Sequence, residues 1–166
     1  MTSIYDFRLP ALEGGELDFS QWRGRPLLIV NTASRCGFTP QYEALQRLWR
    51  HLGQSTPDGL VVLGVPSNDF GQQELDTAQD ISAFCQRRYG VSFPLAARSH
   101  VKGPEAVPLF RWLAKEGGFL SRPRWNFYKY LINREGKLER WFTPLTRPDT
   151  SRFLAEAQRV TFKRFF

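Results

Sequence analysis

The stretch that decides the fold is residues 26–65, PLLIVNTASRCGFTPQYEALQRLWRHLGQSTPDGLVVLGV. It holds two short apolar runs, residues 27–32 and 60–65, of the length expected for strands buried on both faces. Between them, apolar residues recur every three or four positions, which predicts an amphipathic helix that Thr39 caps and Pro40 begins. A strand, a helix and a strand in this order predict a right-handed parallel crossover.

The rest of the chain continues the alternation of helices and strands. A second helix is predicted over residues 76–90, beginning at Asp76 with Gln79 in capping-box register. The elements predicted after it are a short extended piece over residues 91–95, a helix over residues 107–116, a hairpin of residues 127–133 and 138–142, and a last helix after Pro148-Asp149. Parallel strands first and an antiparallel hairpin last predict an α/β protein. The expected architecture is a thioredoxin-like fold, a central mixed β-sheet flanked by helices, in a single domain over residues 1–166.

Composition excludes several classes of protein. The chain has 166 residues with 13 glycines and 11 prolines, a share ordinary for a globular protein. Its uncharged apolar runs, residues 26–30 among them, are far shorter than the roughly 20 residues of a membrane span. The first residues lack a basic stretch followed by an apolar segment, so a cytoplasmic protein without a membrane span is expected.

The chain is basic, with 23 Lys and Arg against 16 Asp and Glu, a net charge of +7. Such a charge can attract anionic small molecules or nucleic acid. The basic residues are spread along the chain, however, and no helix alternates them with aromatic residues. We therefore expect a solvated basic surface and no nucleic-acid partner.

The two cysteines, Cys36 and Cys85, cannot form a disulfide framework or a four-cysteine zinc site. They are either inert thiols, one reactive thiol or a redox pair. Cys36 lies between the end of a buried strand and the start of a helix, where parallel sheets bind ligands and where helix N–H groups favour a thiolate. An inert buried cysteine is the alternative. A local C-x-x-C pair is missing, since Thr39 occupies the fourth position.

Three segments resemble the signature blocks of the glutathione peroxidase family. They are residues 31–39 (NTASRCGFT), residues 64–74 (GVPSNDFGQQE) and residues 125–131 (WNFYKYL), in the order that the family has them. The resemblance implies a peroxidase that reduces hydrogen peroxide or organic hydroperoxides, with no metal and no organic cofactor.

The resemblance also implies roles for particular residues. Cys36 matches the peroxidatic position, Gln73 the catalytic glutamine, and Trp125 and Asn126 the family's tryptophan and asparagine. These residue types suit peroxide reduction by a thiolate, because side-chain amides and the indole N–H are neutral hydrogen-bond donors that do not titrate near pH 7. By spacing alone, Trp125 could equally be a core residue, and Gln73 or Asn126 could cap a turn.

The chain departs from the family pattern at Ser67, Asp69 and Leu75, where cysteine, glutamine and proline are common. None of the three is a catalytic position. Asp69 is expected to add a negative charge near the site, which would raise the pKa of the thiol.

Cys85 admits two interpretations. Its spacing with Ile81, Phe84 and Tyr89 is typical of a core cysteine. The segment around it resembles the one that carries the resolving cysteine in the thioredoxin-dependent branch of the family. That resemblance implies an intramolecular disulfide with Cys36, reduced by thioredoxin, with glutathione as the alternative.

Tetrameric members of the family are associated with a long insertion between the third helix and the position of Trp125. This chain lacks that insertion, so we expect a monomer with an open, shallow site. Two other functions stay open. One is a redox sensor that uses the same chemistry, and the other is a non-catalytic thioredoxin-fold protein whose basic surface binds nucleic acid or an acidic partner.

Overall fold

The computed structural model describes residues 2–162, which form a four-stranded sheet, a two-stranded hairpin and four α-helices. The strands are β1 (Arg8–Pro10), β2 (Glu16–Asp18), β3 (Leu27–Thr32), β4 (Val61–Pro66), β5 (Lys129–Ile132) and β6 (Leu138–Phe142). The helices are α1 (Gln41–Trp49), α2 (Ala78–Tyr89), α3 (Pro108–Gly117) and α4 (Ser151–Phe162).

The main sheet has the strand order β4-β3-β5-β6. Strand β3 is parallel to β4 and antiparallel to β5, and β5 is antiparallel to β6. Every residue of β3, β4 and β5 is buried, because helices cover both faces of the sheet. The predicted mixed sheet is confirmed, and β3 and β5 are its two inner strands.

Alternate residues of the sheet enter two separate hydrophobic layers. Leu27, Ile29 and Leu63 pack in one layer against the apolar side of α3. Leu28, Val30 and Val62 pack in the other layer, against α1, α2 and α4. Cys36 and Cys85 both belong to this second layer. The first layer is called the α3 layer and the second the thiol layer.

The structure differs from the sequence-based predictions at the starts of α1 and α2 and over residues 91–95. Helix α1 begins at Gln41 rather than at Pro40, and Thr39 does not cap it, because its hydroxyl bonds within the preceding loop. Helix α2 begins at Ala78 with Thr77 as its N-cap, because Thr77, not Asp76, accepts from the N–H of Asp80. Residues 91–95 contribute only an isolated bridge between Gly64 and Leu95.

Strand β5 is shorter than the predicted residues 127–133. Phe127 has a φ of 65°, a left-handed conformation that a bulky residue rarely adopts and that cannot continue a strand. The chain therefore turns sharply immediately before β5 and presents Asn126 to the carboxyl end of β3.

Candidate active site

Cys36 lies in the loop between β3 and α1, with 7% of its surface exposed. The N–H of Phe38 points at its sulfur, 3.4 Å away. The hydroxyl of Thr39 accepts from the N–H of Cys36 at 2.9 Å and donates to the carbonyl of Ala33 at 2.7 Å. Because the loop is fixed by these bonds, the sulfur has a defined position with a backbone donor beside it.

Gln73 is brought to the same loop by a backbone bond. Its carbonyl accepts from the N–H of Arg35 at 2.8 Å, and its side-chain oxygen accepts from the amide nitrogen of Asn126 at 3.1 Å. Within residues 2–162, the side-chain nitrogen of Gln73 has no hydrogen-bond acceptor, and the buried side-chain oxygen of Asn126 has no donor. The pair therefore keeps one donor and one acceptor for another molecule.

Trp125 lies close to this pair, because Gly71 packs against both the Trp125 ring and the side chain of Gln73. A Cβ on Gly71 would lie 3.2 Å from the Trp125 ring and 3.4 Å from Cγ of Gln73, and the φ of Gly71 is +67°. Glycine is therefore required at this position for both space and conformation. The structure thus brings three of the predicted site residues, Gln73, Trp125 and Asn126, together, and it ties Gln73 to the loop of Cys36.

Asn31, a residue that the sequence analysis did not select, holds Trp125 and Asn126 in place. Its amide nitrogen donates to the carbonyl of Trp125 at 2.9 Å, and its side-chain oxygen accepts from the N–H of Tyr128 at 3.0 Å. Its backbone carbonyl accepts from the N–H of Phe127 at 2.6 Å. The sequence feature that could have identified Asn31 is its polar side chain in an otherwise apolar run that is predicted to be buried.

Cys85 lies on α2 and is fully buried. Burial raises the pKa of its thiol to about 11, and the nearby carboxylate of Glu74 contributes to the rise, while the hydroxyl of Tyr42 opposes it. Both cysteines are free thiols in this structure. Burial thus favours the protonated thiol of Cys85 over the reactive thiolate.

Glu74, the residue after Gln73, is buried beneath the cysteine loop. Its carboxylate accepts from the N–H of Ser34 at 3.2 Å and from its neighbour Leu75 at 2.8 Å. Burial raises the pKa of Glu74 despite these bonds. Glu74 therefore fixes the start of the cysteine loop from below.

The carboxylate of Asp69 bonds to a neighbouring loop. It accepts from the N–H groups of Val101 at 2.6 Å and Lys102 at 3.2 Å, and it pairs with His100 at 2.8 Å. Burial opposes the ionised form, but the bonds from Val101 and His100 outweigh it and lower the pKa of Asp69. The carboxylate of Asp69 is therefore hydrogen-bonded to this neighbouring loop.

A cavity of about 570 Å³ lies beside Trp125, between α3 and the loop that contains Asp69. Phe70, Phe110 and Trp125 supply its aromatic wall. Its cationic residues are Lys102, Arg111, Arg122 and Arg124. This cavity lies next to the candidate site and was not predicted from the sequence.

The described residues contain no group of His, Cys, Asp and Glu side chains suited to a metal ion. Nor does any helix within residues 2–162 have the length and apolar character needed to cross a membrane.

The fold and the cysteine loop place the chain among thiol-dependent oxidoreductases with a thioredoxin-like fold. A family model for glutathione peroxidase matches residues 4–114. The hydroperoxy fatty acid reductase gpx1 of Synechocystis sp. is 43% identical over 155 residues, covering 89% of this chain and 90% of that protein. The glutathione peroxidase-like peroxiredoxin gpx1 of Schizosaccharomyces pombe is 38% identical over 151 residues, covering 90% of this chain and 94% of that protein.

A solved structure is similarly close. The crystal structure of Trgpx in apo form matches with a TM-score of 0.73 at 36% identity, and the match covers 95% of this chain and 96% of that one. The chain therefore belongs to the glutathione peroxidase family and is a peroxidase. The predicted fold class and family are confirmed.

Proposed function

We propose that the protein is a thiol peroxidase in which Cys36 attacks a hydroperoxide. The thiolate forms a bond to one peroxide oxygen while the O–O bond breaks, which leaves Cys36 as a sulfenic acid. The other oxygen leaves as water or an alcohol once it has gained a proton. The sulfur supplies two electrons, so no metal or organic cofactor is needed.

The observation that carries this proposal is the hydrogen-bonded pair of Gln73 and Asn126, tied to the cysteine loop. The pair keeps a free donor and a free acceptor, and together with the indole of Trp125 it can bind both oxygens of a peroxide without titrating near pH 7. Neutral donors placed where negative charge develops stabilise the departing oxygen.

We further propose that Cys85 resolves the sulfenic acid. Its thiol sulfur bonds to the sulfur of Cys36, the S–O bond breaks, and the hydroxyl leaves as water with the thiol's proton. The result is an intramolecular disulfide. A dithiol protein such as thioredoxin suits its reduction, because a second thiol in the same protein completes the exchange, and glutathione is the alternative reductant.

Peroxide consumption by the purified protein tests these roles. With thioredoxin, thioredoxin reductase and NADPH, Cys36→Ser should abolish turnover and Cys85→Ser should strongly reduce it. Replacement of the thioredoxin system by glutathione and glutathione reductase identifies the reductant. Equal turnover by wild type and both variants would reject the catalytic assignment.

The first step can be tested separately from the second. In Cys85→Ser, one equivalent of hydroperoxide should convert Cys36 to a sulfenic acid that a dimedone probe traps, detected by mass spectrometry. Wild type should instead form a disulfide that joins the peptides of Cys36 and Cys85. A trapped sulfenic acid in Cys85→Ser without a disulfide in wild type would keep Cys36 as the nucleophile and remove the role of Cys85.

A further inference from the structure

Lys129 has a buried amine that the proposed mechanism does not use. It is the first residue of β5, and none of its surface is exposed. Its nitrogen donates to the carbonyl of Phe127 at 2.8 Å and to the side-chain oxygen of Gln41 at 2.9 Å. It forms no ion pair with a carboxylate in the part of the chain that the structure describes. Since an apolar side chain would avoid the cost of desolvating an amine, the two hydrogen bonds are what a lysine contributes here.

The carbonyl that Lys129 binds belongs to the turn beside Asn126. Phe127 has a φ of 65°, which is unfavourable for a bulky residue and persists only where the surrounding structure fixes it. The N–H of Phe127 donates to the backbone carbonyl of Asn31 at 2.6 Å, and the carbonyl of Phe127 accepts from Lys129. Both peptide groups of Phe127 are therefore held, and with them the position at which Asn126 enters the site.

The other acceptor of Lys129 belongs to the segment that follows Cys36. Gln41 begins α1, and its side-chain nitrogen donates to the carbonyl of Pro144 at 2.7 Å, which fixes the direction of its side-chain oxygen. The N–H of Gln41 donates to the carbonyl of Phe38 at 2.9 Å, and the N–H of Phe38 points at the sulfur of Cys36. Lys129 is therefore bonded to the residue that ends the cysteine loop.

From these contacts we propose that Lys129 is a positioning residue of the peroxidase site, whose amine joins the turn of Asn126 to the loop of Cys36 and fixes the Asn126 amide relative to the sulfur. Gln73 forms another connection between the two segments, through its bonds to Asn126 and to the N–H of Arg35. A donor must lie within hydrogen-bond reach of the reacting oxygen, so a small displacement of the amide lowers the rate strongly. The proposal rests on the proposed function of Cys36 and adds a residue that supports it.

Lys129 has no charged partner, although other titratable groups lie on the same side of the sheet. Burial lowers the pKa of Lys129 to about 7. The other titratable groups on this side are Cys36 before α1, Tyr42 on α1, Glu74 after β4 and Cys85 on α2. The carboxylates of α1, β6, α4 and the loop before α4 are paired with arginines, namely Glu43, Glu139, Glu156 and Asp149. A change of charge at Lys129 therefore acts directly on the two groups that its amine binds.

Nuclear magnetic resonance tests the connection without turnover. In Cys36→Ser, which removes the thiol of the loop, the side-chain amide resonances of Asn126 should shift with pH with a midpoint of about 7, and the shift should vanish when Lys129→Met is added. Their loss in Asn126→Ala assigns these resonances. Addition of Gln41→Glu instead should raise the midpoint by roughly one pH unit or more, because a carboxylate beside the amine favours its charged form. Resonances that do not titrate, or that still titrate in Lys129→Met because they follow Glu74, would overturn the proposal.

Rapid mixing with hydrogen peroxide tests the effect on the first chemical step. In the Cys85→Ser background, the sulfenic acid of Cys36 accumulates and is measured by quenched flow, dimedone trapping and mass spectrometry. Lys129→Met should lower the rate constant roughly tenfold. In Asn126→Ala, addition of Lys129→Met should change the rate constant by less than about twofold, because Lys129 acts through Asn126. Losses that multiply in the double variant would show that Lys129 acts on the whole fold, and would overturn the proposal.

Gln46→Met is the matched control. Gln46 also lies on α1 and is buried, and its side chain makes two hydrogen bonds, both to Ser92, at 2.8 and 2.9 Å. The variant should lower the free energy of unfolding and leave the rate constant of sulfenic acid formation within about twofold of wild type. An equal loss of rate in Gln46→Met and Lys129→Met would reduce the effect of Lys129 to general destabilisation and reject its positioning role.

The two measurements separate this proposal from the proposed function. If hydrogen peroxide does not oxidise Cys36 even in wild type, while the Asn126 resonances follow Lys129, the peroxidase mechanism fails and the connection between the two segments stands. If Cys36 is oxidised at the wild-type rate in Lys129→Met, the positioning role fails alone.

Discussion

Asn31 is the residue whose side chain links strand β3 to the Trp125-Asn126 segment. Its replacement by alanine would remove two hydrogen bonds and leave the buried N–H of Tyr128 unpaired, at a cost of about 1–3 kcal/mol in the free energy of unfolding. Because Asn126 would then lose its position, we expect peroxidase kcat/KM to fall roughly ten- to hundredfold. Urea denaturation and steady-state kinetics measure the two effects.

Asn133 offers a matched control for Asn31. Its side chain likewise makes two hydrogen bonds to the backbone, accepting from the N–H groups of Glu135 and Lys137, but in the turn of the β5–β6 hairpin. Asn133→Ala should therefore lower stability and leave kcat/KM unchanged. Equal loss of activity in the two variants would show that Asn31 acts on the whole fold and not on the site.

Lys129 makes stability depend on pH. It is fully buried, and its nitrogen donates to Gln41 at 2.9 Å and to the carbonyl of Phe127 at 2.8 Å. Burial lowers the pKa of Lys129 to about 7, and a neutral amine has two N–H groups for these two acceptors. Its pKa in the unfolded chain is about 10.4.

Between pH 7 and about 10.4, the unfolded chain thus binds a proton at Lys129 that the native protein does not bind. The contribution of Lys129 to the free energy of unfolding therefore rises with pH across that window. Below pH 7 the buried amine is charged, and the cost of burying that charge is at its full value. The difference in the free energy of unfolding between wild type and Lys129→Met should grow in favour of wild type from pH 7 to 10. A difference that is constant across this range would contradict the assignment.

At the scale of elements, helix α2 holds Cys85 back from the disulfide proposed above. Cys85 is fully buried on this helix, and the high pKa of its thiol makes it a poor nucleophile while it stays there. We expect α2 to unwind in part during each cycle, so its amide hydrogens should exchange much faster in the oxidised protein than in the reduced one. Hydrogen exchange with mass spectrometry over residues 76–90 measures this.

Cys85→Ser treated with peroxide is the control for the exchange experiment. It can form the sulfenic acid but no disulfide, so its α2 should keep the protection of the reduced protein. Unchanged protection in a wild type whose disulfide has formed would mean that the two sulfurs meet without unwinding.

The elements of the fold were largely predictable, because long apolar runs and helical spacing are local signals. Strands β3 and β4, helix α1 and the β5–β6 hairpin follow from such patterns. Strands β1 and β2 were missed, since each has only three residues and their pairing depends on the turn between them. The caps were predicted one or two residues early, because Thr39 bonds within the cysteine loop instead of capping α1.

The candidate site was predictable from its motifs but not from local patterns. Gln73 and Asn126 are 53 positions apart, and only the folded chain brings their amides together. The role of Asn31 and the cavity cations likewise depend on contacts between distant segments. Asp69 was expected to add a negative charge near the cysteine. Its hydrogen bonds to residues 100–102 were not predicted, because no sequence pattern near Asp69 indicates them.

At the scale of the whole molecule, the distribution of exposed apolar groups bears on the oligomeric state. The large exposed apolar side chains among the described residues are Phe119, Leu120, Leu145 and Phe162, in three separate segments. A stable interface buries roughly 1,600 Å², which needs a larger apolar area. Sedimentation at micromolar concentration should therefore give the mass of one chain, and a concentration-independent dimer would contradict this prediction.

The separation of the core into two layers has a consequence for protein engineering. Both cysteines lie in the thiol layer, whereas Phe110 of the cavity wall lies in the α3 layer, and Trp125 contacts both. We therefore expect substitutions of cavity residues on the α3 side, Trp125 excepted, to leave the cysteine loop in place. Directed evolution of the cavity can be confined to that side, with the sheet as the boundary between the randomised and the fixed half of the molecule.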